Sequence, residues 1–321
     1  MKRIRGAICM CLACHPDPST PSTPSTPSPA PVELYGAGRF STGAWDFFMA
    51  FSPDQRQVLF GRADPSFTNY EILETRLVDG TWSSPIRPSF AARWSDADPH
   101  ITPAGDAVFF ISNRPFTADE TQARPTHDIW TAARAVDGSW GPAQRLPEPV
   151  NDPSLDEWCP AVAASGNLYF GGERPGGHGG SDLWLSRRID GAYQPPENLG
   201  PAINTAGLEV EPWIAPDETY LIFAGLRRAD SLGSYDLYIS RRSGGAWSPA
   251  RPLAAINTAA SEWNHSVSPD GEWLYFGSNR AYAGPLGPRL DVPRDDRNVL
   301  GVGDGKQGDI YRVPLRTLVP R

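Results

Sequence analysis

Short apolar runs alternate with tight polar turns along most of this chain. In one stretch, Ser266-Val267 and Leu274-Tyr275-Phe276 flank the turn Ser268-Pro269-Asp270-Gly271. Proline presets the first central position of such a turn and Asp-Gly suits the remainder, so the pattern predicts two strands joined as a hairpin. Related turns occur at 52–54, 102–105, 164–166 and 215–217. The chain therefore carries five copies of one hairpin.

Each copy continues into a third strand that opens with an acidic residue, and four copies continue through a Gly-containing turn into a fourth strand. The third strands begin at Glu71, Asp128, Asp182, Asp236 and Asp309. Four strands that repeat about every 50 residues are typical of propeller blades. We therefore expect an all-β fold, a single β-propeller of five four-stranded blades. The last copy lacks its fourth strand, and the N-terminal segment 32–35 is predicted to supply it; a sixth blade stays open as an alternative.

Three motifs strengthen this interpretation. They are Tyr275-Phe276-Gly277-Ser278-Asn279-Arg280, the glycine-rich segment 175–184 that ends in Asp182-Leu183-Trp184, and Leu199-Gly200-Pro201-Ala202-Ile203-Asn204-Thr205. They resemble the TolB-type, WD-like propeller repeat family over residues 44–312. The first copy departs from the pattern, because Asp64 stands where the other copies have arginine. The resemblance implies a protein of the bacterial envelope, and many members of that family act through contacts with other proteins.

The N-terminal residues have the pattern of an export signal. Lys2, Arg3 and Arg5 precede the apolar run 6–13, as in a bacterial signal peptide, and Leu12-Ala13-Cys14 resembles the lipobox of lipoproteins. We predict a signal at 1–14 with lipidation at Cys14, a Ser/Thr/Pro-rich tether at 15–31, and a propeller at 32–321. The expected location is the periplasm or the outer membrane.

Charge and cysteine content exclude some classes of partner. The net charge is −8, and no basic tract is present to follow a phosphate backbone, so we expect no nucleic acid partner. Three of the four cysteines lie in the first 14 residues, which leaves Cys159 without an intrachain partner in the body. The expected partners are an envelope protein or a glycan such as peptidoglycan, with the membrane reached only through a lipid anchor, and the chain is expected to be a monomer.

One acidic residue precedes the first strand of every copy. These aligned carboxylates are Asp46, Asp96, Glu157, Glu209 and Glu262. A propeller would gather them around one mouth of its channel, where they could form a binding face or hold a hard cation such as calcium. Alternatively, each acid locks its own blade by accepting hydrogen bonds from backbone N–H groups or arginine, an interpretation that its recurrence in every copy favours.

Other side chains fall near the same mouth. Tryptophans that could stack on a sugar or anchor a protein are Trp45, Trp94, Trp158, Trp213 and Trp263, of which we place Trp158 and Trp263 on the binding face together with His100 and His265. Packing between blades is the alternative role for these aromatic rings. Arg114, Arg174, Arg227 and Arg280 end second strands and are predicted to pair with the acids that open the third strands.

The fifth copy breaks the symmetry. Residues 281–308 form a loop of 28 residues between Arg280 and Asp309. Long loops on a compact scaffold are usually functional or disordered, so this loop is a candidate binding element.

Two functions remain in competition. The first is a non-catalytic module that binds a protein or a glycan in the envelope and requires no cofactor. The alternative is a propeller glycoside hydrolase, in which Asp98, Glu157 and Glu211 would provide the acid and base that glycosidic cleavage requires. Five near-equivalent acids fit two distinct catalytic roles poorly, which favours the binding module.

Overall fold

The computed structural model describes residues 31–42, 44–64, 70–117, 119–284 and 308–319. The predicted signal, Cys14, most of the tether and the greater part of the 281–308 loop lie outside the described residues.

Five antiparallel sheets form the five blades of a propeller. Blade 1 is β2 (Trp45–Phe51), β3 (Gln57–Ala63), β4 (Tyr70–Val78) and β5 (Thr81–Trp82); blade 2 is β6 (Asp96–Ile101), β7 (Ala107–Ser112), β8 (Asp128–Ala133) and β9 (Gln144–Arg145). Blade 3 is β10 (Glu157–Val162), β11 (Leu168–Gly172), β12 (Asp182–Ser186) and β15 (Glu197–Asn198), with the hairpin of β13 (Arg188–Ile189) and β14 (Ala192–Tyr193) beside it.

The remaining strands complete the ring. Blade 4 is β16 (Leu208–Ile214), β17 (Tyr220–Leu226), β18 (Tyr235–Ser243), β19 (Ala246–Trp247) and β20 (Arg251–Pro252); blade 5 is β21 (Glu262–Val267), β22 (Trp273–Ser278), β23 (Asp309–Pro314) and β1 (Glu33–Leu34). A short 3-10 helix, Leu315–Thr317, follows β23. Within the described ranges, no helix is long and apolar enough to cross a membrane.

The N-terminal strand closes the ring as predicted. β1 pairs antiparallel with β23, with Glu33 opposite Arg312 and Leu34 opposite Tyr311. Leu34 is buried in a cluster that also contains Tyr311 and Val313. The first and last parts of the folded chain thus share one sheet, which removes the exposed edge that β23 would otherwise present.

The core lies between the blades. The aromatic residue near the middle of each second strand is almost completely buried: Phe60, Phe110, Phe170, Phe223 and Phe276. Because side chains alternate between the two faces of a strand, these rings fill the space against a neighbouring blade. The strand assignments made from the alternating pattern are confirmed.

Candidate functional site

The aligned carboxylates lie inside the blades. Each is at most 1% exposed and forms an ion pair with an arginine in the same blade. The pairs are Asp46–Arg62 (2.7 Å), Asp96–Arg114 (2.7 Å), Glu157–Arg174, Glu209–Arg228 (2.6 Å) and Glu262–Arg280 (2.9 Å). Such charges are buried at low cost only when paired and hydrogen-bonded, which is the arrangement seen here.

Each carboxylate also holds the loop that enters its blade. The backbone N–H groups that donate to them belong to Thr42, Ala92, Asp152, Thr205 and Thr258. We call each acid, its arginine and the loop they hold a clasp. In all five clasps the arginine donates to a carbonyl of the loop, for example that of Ile203 in blade 4 and Ile256 in blade 5. The interpretation in which each acid locks its own blade describes this geometry. The alternative, in which these acids form an exposed binding face, does not describe it, because their oxygens are enclosed. The acids concerned are Asp46, Asp96, Glu157, Glu209 and Glu262.

The predicted partners of the arginines were wrong. Arg114, Arg174 and Arg280 reach the first-strand acid of their blade and not the acid that opens the third strand. In blade 4 the paired residue is Arg228, the neighbour of Arg227, and Arg227 has a left-handed backbone conformation. Blade 1 keeps the pattern through Arg62, although Asp64 occupies the aligned sequence position. A third-strand acid such as Asp128 instead pairs with Arg145 at 2.9 Å.

A β-bulge interrupts the first strand of every blade two residues after the aligned acid. The bulged residues, here called the bulge ring, are Phe48, Asp98, Cys159, Glu211 and Asn264, and all five have a positive φ between 42° and 57°. Residues other than glycine rarely adopt this conformation, and bulges that do so often redirect a side chain at a functional position. Proline follows three of them, at 99, 160 and 212, where the ladder needs no N–H donor.

Hydrogen bonds link the bulge ring from blade to blade. The backbone N–H of Cys159 donates to Asp98 Oδ2 at 3.3 Å, and the Cys159 thiol donates to the same oxygen at 3.1 Å. The backbone N–H of Asn264 donates to Glu211 Oε2, and Asn264 Nδ2 donates to Oε1 at 2.8 Å. The carboxyl groups of Asp98 and Glu211 are thus each held by the bulged residue of the next blade.

A cavity of about 660 Å³, here called the wide cavity, opens on one side of the bulge ring. Trp45, Phe47 and Trp263 form part of its wall where blades 5 and 1 meet, and the rings of Trp45 and Trp263 lie 6.1 Å apart. The other aromatic residues of the wall are Tyr70, Trp158 and Tyr235. The polar groups of the floor are those of Asp98, Cys159, Glu211 and Asn264. Besides the aromatic rings, the wall carries the polar side chains of His127, Ser234, Ser261 and Asn279, so the cavity combines aromatic sides with a polar base.

The two carboxyl groups of the floor have raised pKa values. Burial raises the pKa of Asp98 to about 6, against the lowering effect of its bond from Cys159. Burial raises the pKa of Glu211 to about 8, and the charge of Asp98 adds to this effect, whereas the N–H of Asn264 opposes it. In the described part of the chain, neither carboxyl forms an ion pair with arginine or lysine, which distinguishes both from the clasped acids.

Glu157 lies in a different environment from Asp98 and Glu211. Burial raises its pKa to about 7 in spite of Arg174. Its carboxyl is fully enclosed with that arginine, and it does not line the wide cavity. The structure therefore brings together Asp98 and Glu211 of the three proposed catalytic residues.

His100, His265 and Trp213 lie beyond the bulge ring, in a narrower cavity of about 190 Å³ that Asp98 and Cys159 also line. Burial lowers the pKa of both histidines to about 4, and His100 Nε2 accepts a hydrogen bond from the Val162 N–H at 3.0 Å. Of the predicted binding-face residues, Trp158 and Trp263 line the wide cavity, whereas the two histidines do not.

Sequence reasoning did not single out Cys159, Asn264, Tyr70 or Tyr235. A signal was present, because Asp98-Pro99, Cys159-Pro160 and Glu211-Pro212 recur two residues after the aligned acid. No cluster of three or more metal-ligating side chains is arranged to hold an ion among the described residues. The calcium site stays a prediction.

The fold and the cavity define this protein as a five-bladed β-propeller with a ligand-sized cavity at one mouth of its channel. No protein-family model matches the chain, and no curated protein matches it. The five-bladed propeller architecture that the repeats indicated is confirmed by the blades themselves.

Three solved structures are similar to this chain in fold. TolB from Acinetobacter baumannii is 12% identical with a TM-score of 0.45 over 84% of this chain and 54% of that one, so this chain spans about half the length of TolB. An α-L-arabinofuranosidase from Lactobacillus brevis is 12% identical with a TM-score of 0.48 over 88% and 92% of the two chains. A gluconolactonase from Xanthomonas campestris is 15% identical with a TM-score of 0.46 over 91% and 98%. These likenesses concern the fold alone.

Proposed function

We propose that this propeller is a glycan-binding protein and that its ligand occupies the wide cavity. The observation that carries the proposal is the division of that cavity into aromatic sides and a hydrogen-bonding floor. A sugar has an apolar face of C–H groups and an edge of hydroxyl groups, and it is complementary to both surfaces at once. The volume of the wide cavity also falls in the range of small-ligand sites, which is roughly 300–1,000 Å³.

The aromatic residues provide the larger part of the expected affinity. Trp45 and Trp263 offer adjoining rings, and burial of such rings against a ligand is a major source of binding energy. Asp98 and Glu211 then orient the ligand from the floor.

The test is calorimetric titration of the full chain with methyl glycosides of arabinofuranose, xylose, galactose, glucose and N-acetylglucosamine. We expect one or more to bind, and Trp263→Leu to weaken that binding at least tenfold. Trp94→Leu is the matched control, because Trp94 lies outside the wide cavity. Absence of binding to every glycoside, or an equal loss in both variants, would contradict the proposal.

A second candidate, glycoside hydrolysis, is favoured by the separation of the two raised pKa values. Between about pH 6 and pH 8, Asp98 is mostly ionised and Glu211 is mostly protonated. Two carboxyl groups held in opposite states can act as base and acid. Release of 4-nitrophenol from nitrophenyl glycosides, lost in both Asp98→Asn and Glu211→Gln but retained in Glu71→Gln, would identify the enzyme. Glu71 pairs with Arg87 at the surface.

We further propose that the protein acts in the cell envelope as a lipoprotein anchored through Cys14. Support comes from the basic residues, the apolar run and the Leu12-Ala13-Cys14 motif. Metabolic labelling with palmitate in a bacterial host should label the wild type and not Cys14→Ser, whereas Cys11→Ser should remain labelled. Equal labelling of the two variants would contradict lipidation at Cys14.

A further inference from the structure

The bulge ring is open at blade 1. At two boundaries between blades, the side chain of one bulged residue accepts a hydrogen bond from the backbone N–H of the next, which links Asp98 to Cys159 and Glu211 to Asn264. Blade 1 carries Phe48 at the equivalent position, and a phenyl ring offers no acceptor of this kind. The two linked pairs therefore end at Asp98 and at Asn264, on either side of the apolar Phe48.

The end at Asn264 leaves an acceptor unused. Asn264 is 7% exposed, and its Oδ1 has no hydrogen-bond partner among the residues that the structure describes. In this structure Nδ2 donates to Glu211 Oε1 at 2.8 Å, so the amide oxygen points away from that carboxyl. Buried polar atoms are nearly always paired, so an oriented and unpaired amide oxygen indicates a partner from outside the chain.

The residue that carries this oxygen belongs to the lining of the wide cavity. Asn264 lines that cavity and follows Trp263, whose ring stands beside that of Trp45. A ligand that rests on these rings has its polar edge over the floor. An amide oxygen only accepts, so the complementary group is a donor such as a hydroxyl.

We propose that Asn264 Oδ1 determines specificity by accepting a hydrogen bond from one hydroxyl group of a neutral sugar in the wide cavity. This inference rests on the proposed glycan-binding function and adds the residue that reads a particular hydroxyl. A site built to pair a ligand hydroxyl rejects an analogue that lacks it, because the buried acceptor is then left without a donor.

The experiment compares the methyl glycoside that binds best in the panel above with its set of monodeoxy analogues, using the full chain. For the wild type, one monodeoxy analogue should bind at least tenfold more weakly than the parent glycoside. In Asn264→Ala, the parent should lose affinity to the level of that analogue, and the difference between the two ligands should disappear.

Asn279→Ala is the matched control. Asn279 lines the same cavity, but its Oδ1 already accepts the Ser261 N–H at 2.9 Å, so its loss should leave the discrimination between the two ligands intact. If Asn264→Ala fails to fold, ¹⁵N NMR of the wild type replaces it. The Asn264 side-chain amide signal should then move with the parent glycoside and not with the weak analogue.

The outcomes separate the two proposals. If the wild type binds a glycoside but Asn264→Ala keeps the full discrimination, or the NMR signal moves equally with both ligands, the role of Asn264 is refuted and glycan binding stands. If no glycoside binds, both proposals fail. Tighter binding of choline than of any glycoside would also refute both, because the cavity would then select a cation.

Discussion

The thiol of Cys159 lies 3.1 Å from Asp98 Oδ2 and donates a hydrogen bond to it across the boundary between blades 3 and 2. Burial raises the pKa of this thiol well above its ordinary value, so the sulfur stays protonated and remains a donor. A donor beside a carboxylate stabilises its ionised form and lowers its pKa. Cys159 therefore limits how far burial raises the pKa of Asp98.

Replacement of Cys159 should change the titration of Asp98. In Cys159→Ala, we expect the Asp98 pKa to rise above its wild-type value of about 6, because the thiol donor is lost while the burial remains. Cys159→Ser keeps a donor and should leave the pKa closer to the wild-type value. Carboxyl ¹³C NMR titration measures both. Identical Asp98 titrations in Cys159→Ala and the wild type would contradict the role assigned to the thiol.

The buried Glu211 should make the fold less stable as the pH rises. Its pKa is about 8 when folded, above the ordinary value of 4.5, so the folded state holds the proton more tightly than the unfolded state does. Between about pH 4.5 and pH 8 the unfolded state binds fewer protons than the folded state. The free energy of unfolding therefore falls with increasing pH, by at most about 1.4 kcal/mol per pH unit. Below this window the penalty is absent.

Glu211→Gln removes this titration. Urea unfolding across pH 5 to 8 should show a flatter dependence for Glu211→Gln than for the wild type, with the variant relatively more stable at pH 8. Glu197→Gln is the control, since Glu197 is an exposed residue that pairs with Arg187. An unchanged slope in Glu211→Gln would show that the carboxyl does not keep its proton in the folded state.

The arginine clasps should contribute far more stability than surface ion pairs. Arg114→Ala leaves the buried carboxylate of Asp96 without its 2.7 Å partner, and we expect a loss of about 3–5 kcal/mol in the free energy of unfolding. Arg87→Ala breaks an exposed pair with Glu71 and should cost below about 1 kcal/mol. Urea titration at pH 7 compares the two. Similar small losses would show that the clasp is not a main stabilising contact.

Sequence reasoning predicted the blades because their signals are local. Ser268-Pro269-Asp270-Gly271 specifies a turn by itself, and the alternation around Phe276 specifies a strand. The partners of the arginines were missed because they depend on where a long side chain ends in three dimensions. Arg114 lies closer in sequence to Asp128 than to Asp96, yet in the folded chain it reaches Asp96.

The cavity floor was harder to predict for a related reason. Cys159 and Asn264 have no chemical similarity to Asp98 and Glu211, so a search for clustered acids passes over them. What they share is a bulged backbone with positive φ, which directs all of these side chains to the channel. Backbone conformation, and not residue type, is therefore the common feature of the floor.

Closure of the ring by β1 leads to the last prediction. Leu34 is 3% exposed and packs with Tyr311 and Val313 in the cluster that joins blade 5 to its neighbour. Leu34→Ala removes buried methyl groups from both the sheet and that cluster, and we expect a loss of about 2–5 kcal/mol. Glu33→Ala removes only an exposed ion pair with Arg312 and should cost at most about 1 kcal/mol. Hydrogen exchange should show faster exchange along β23 in Leu34→Ala, because β1 would open more often and expose the edge of the last blade. If the two variants have equal stability and equal protection of β23, the strand is not what closes the propeller.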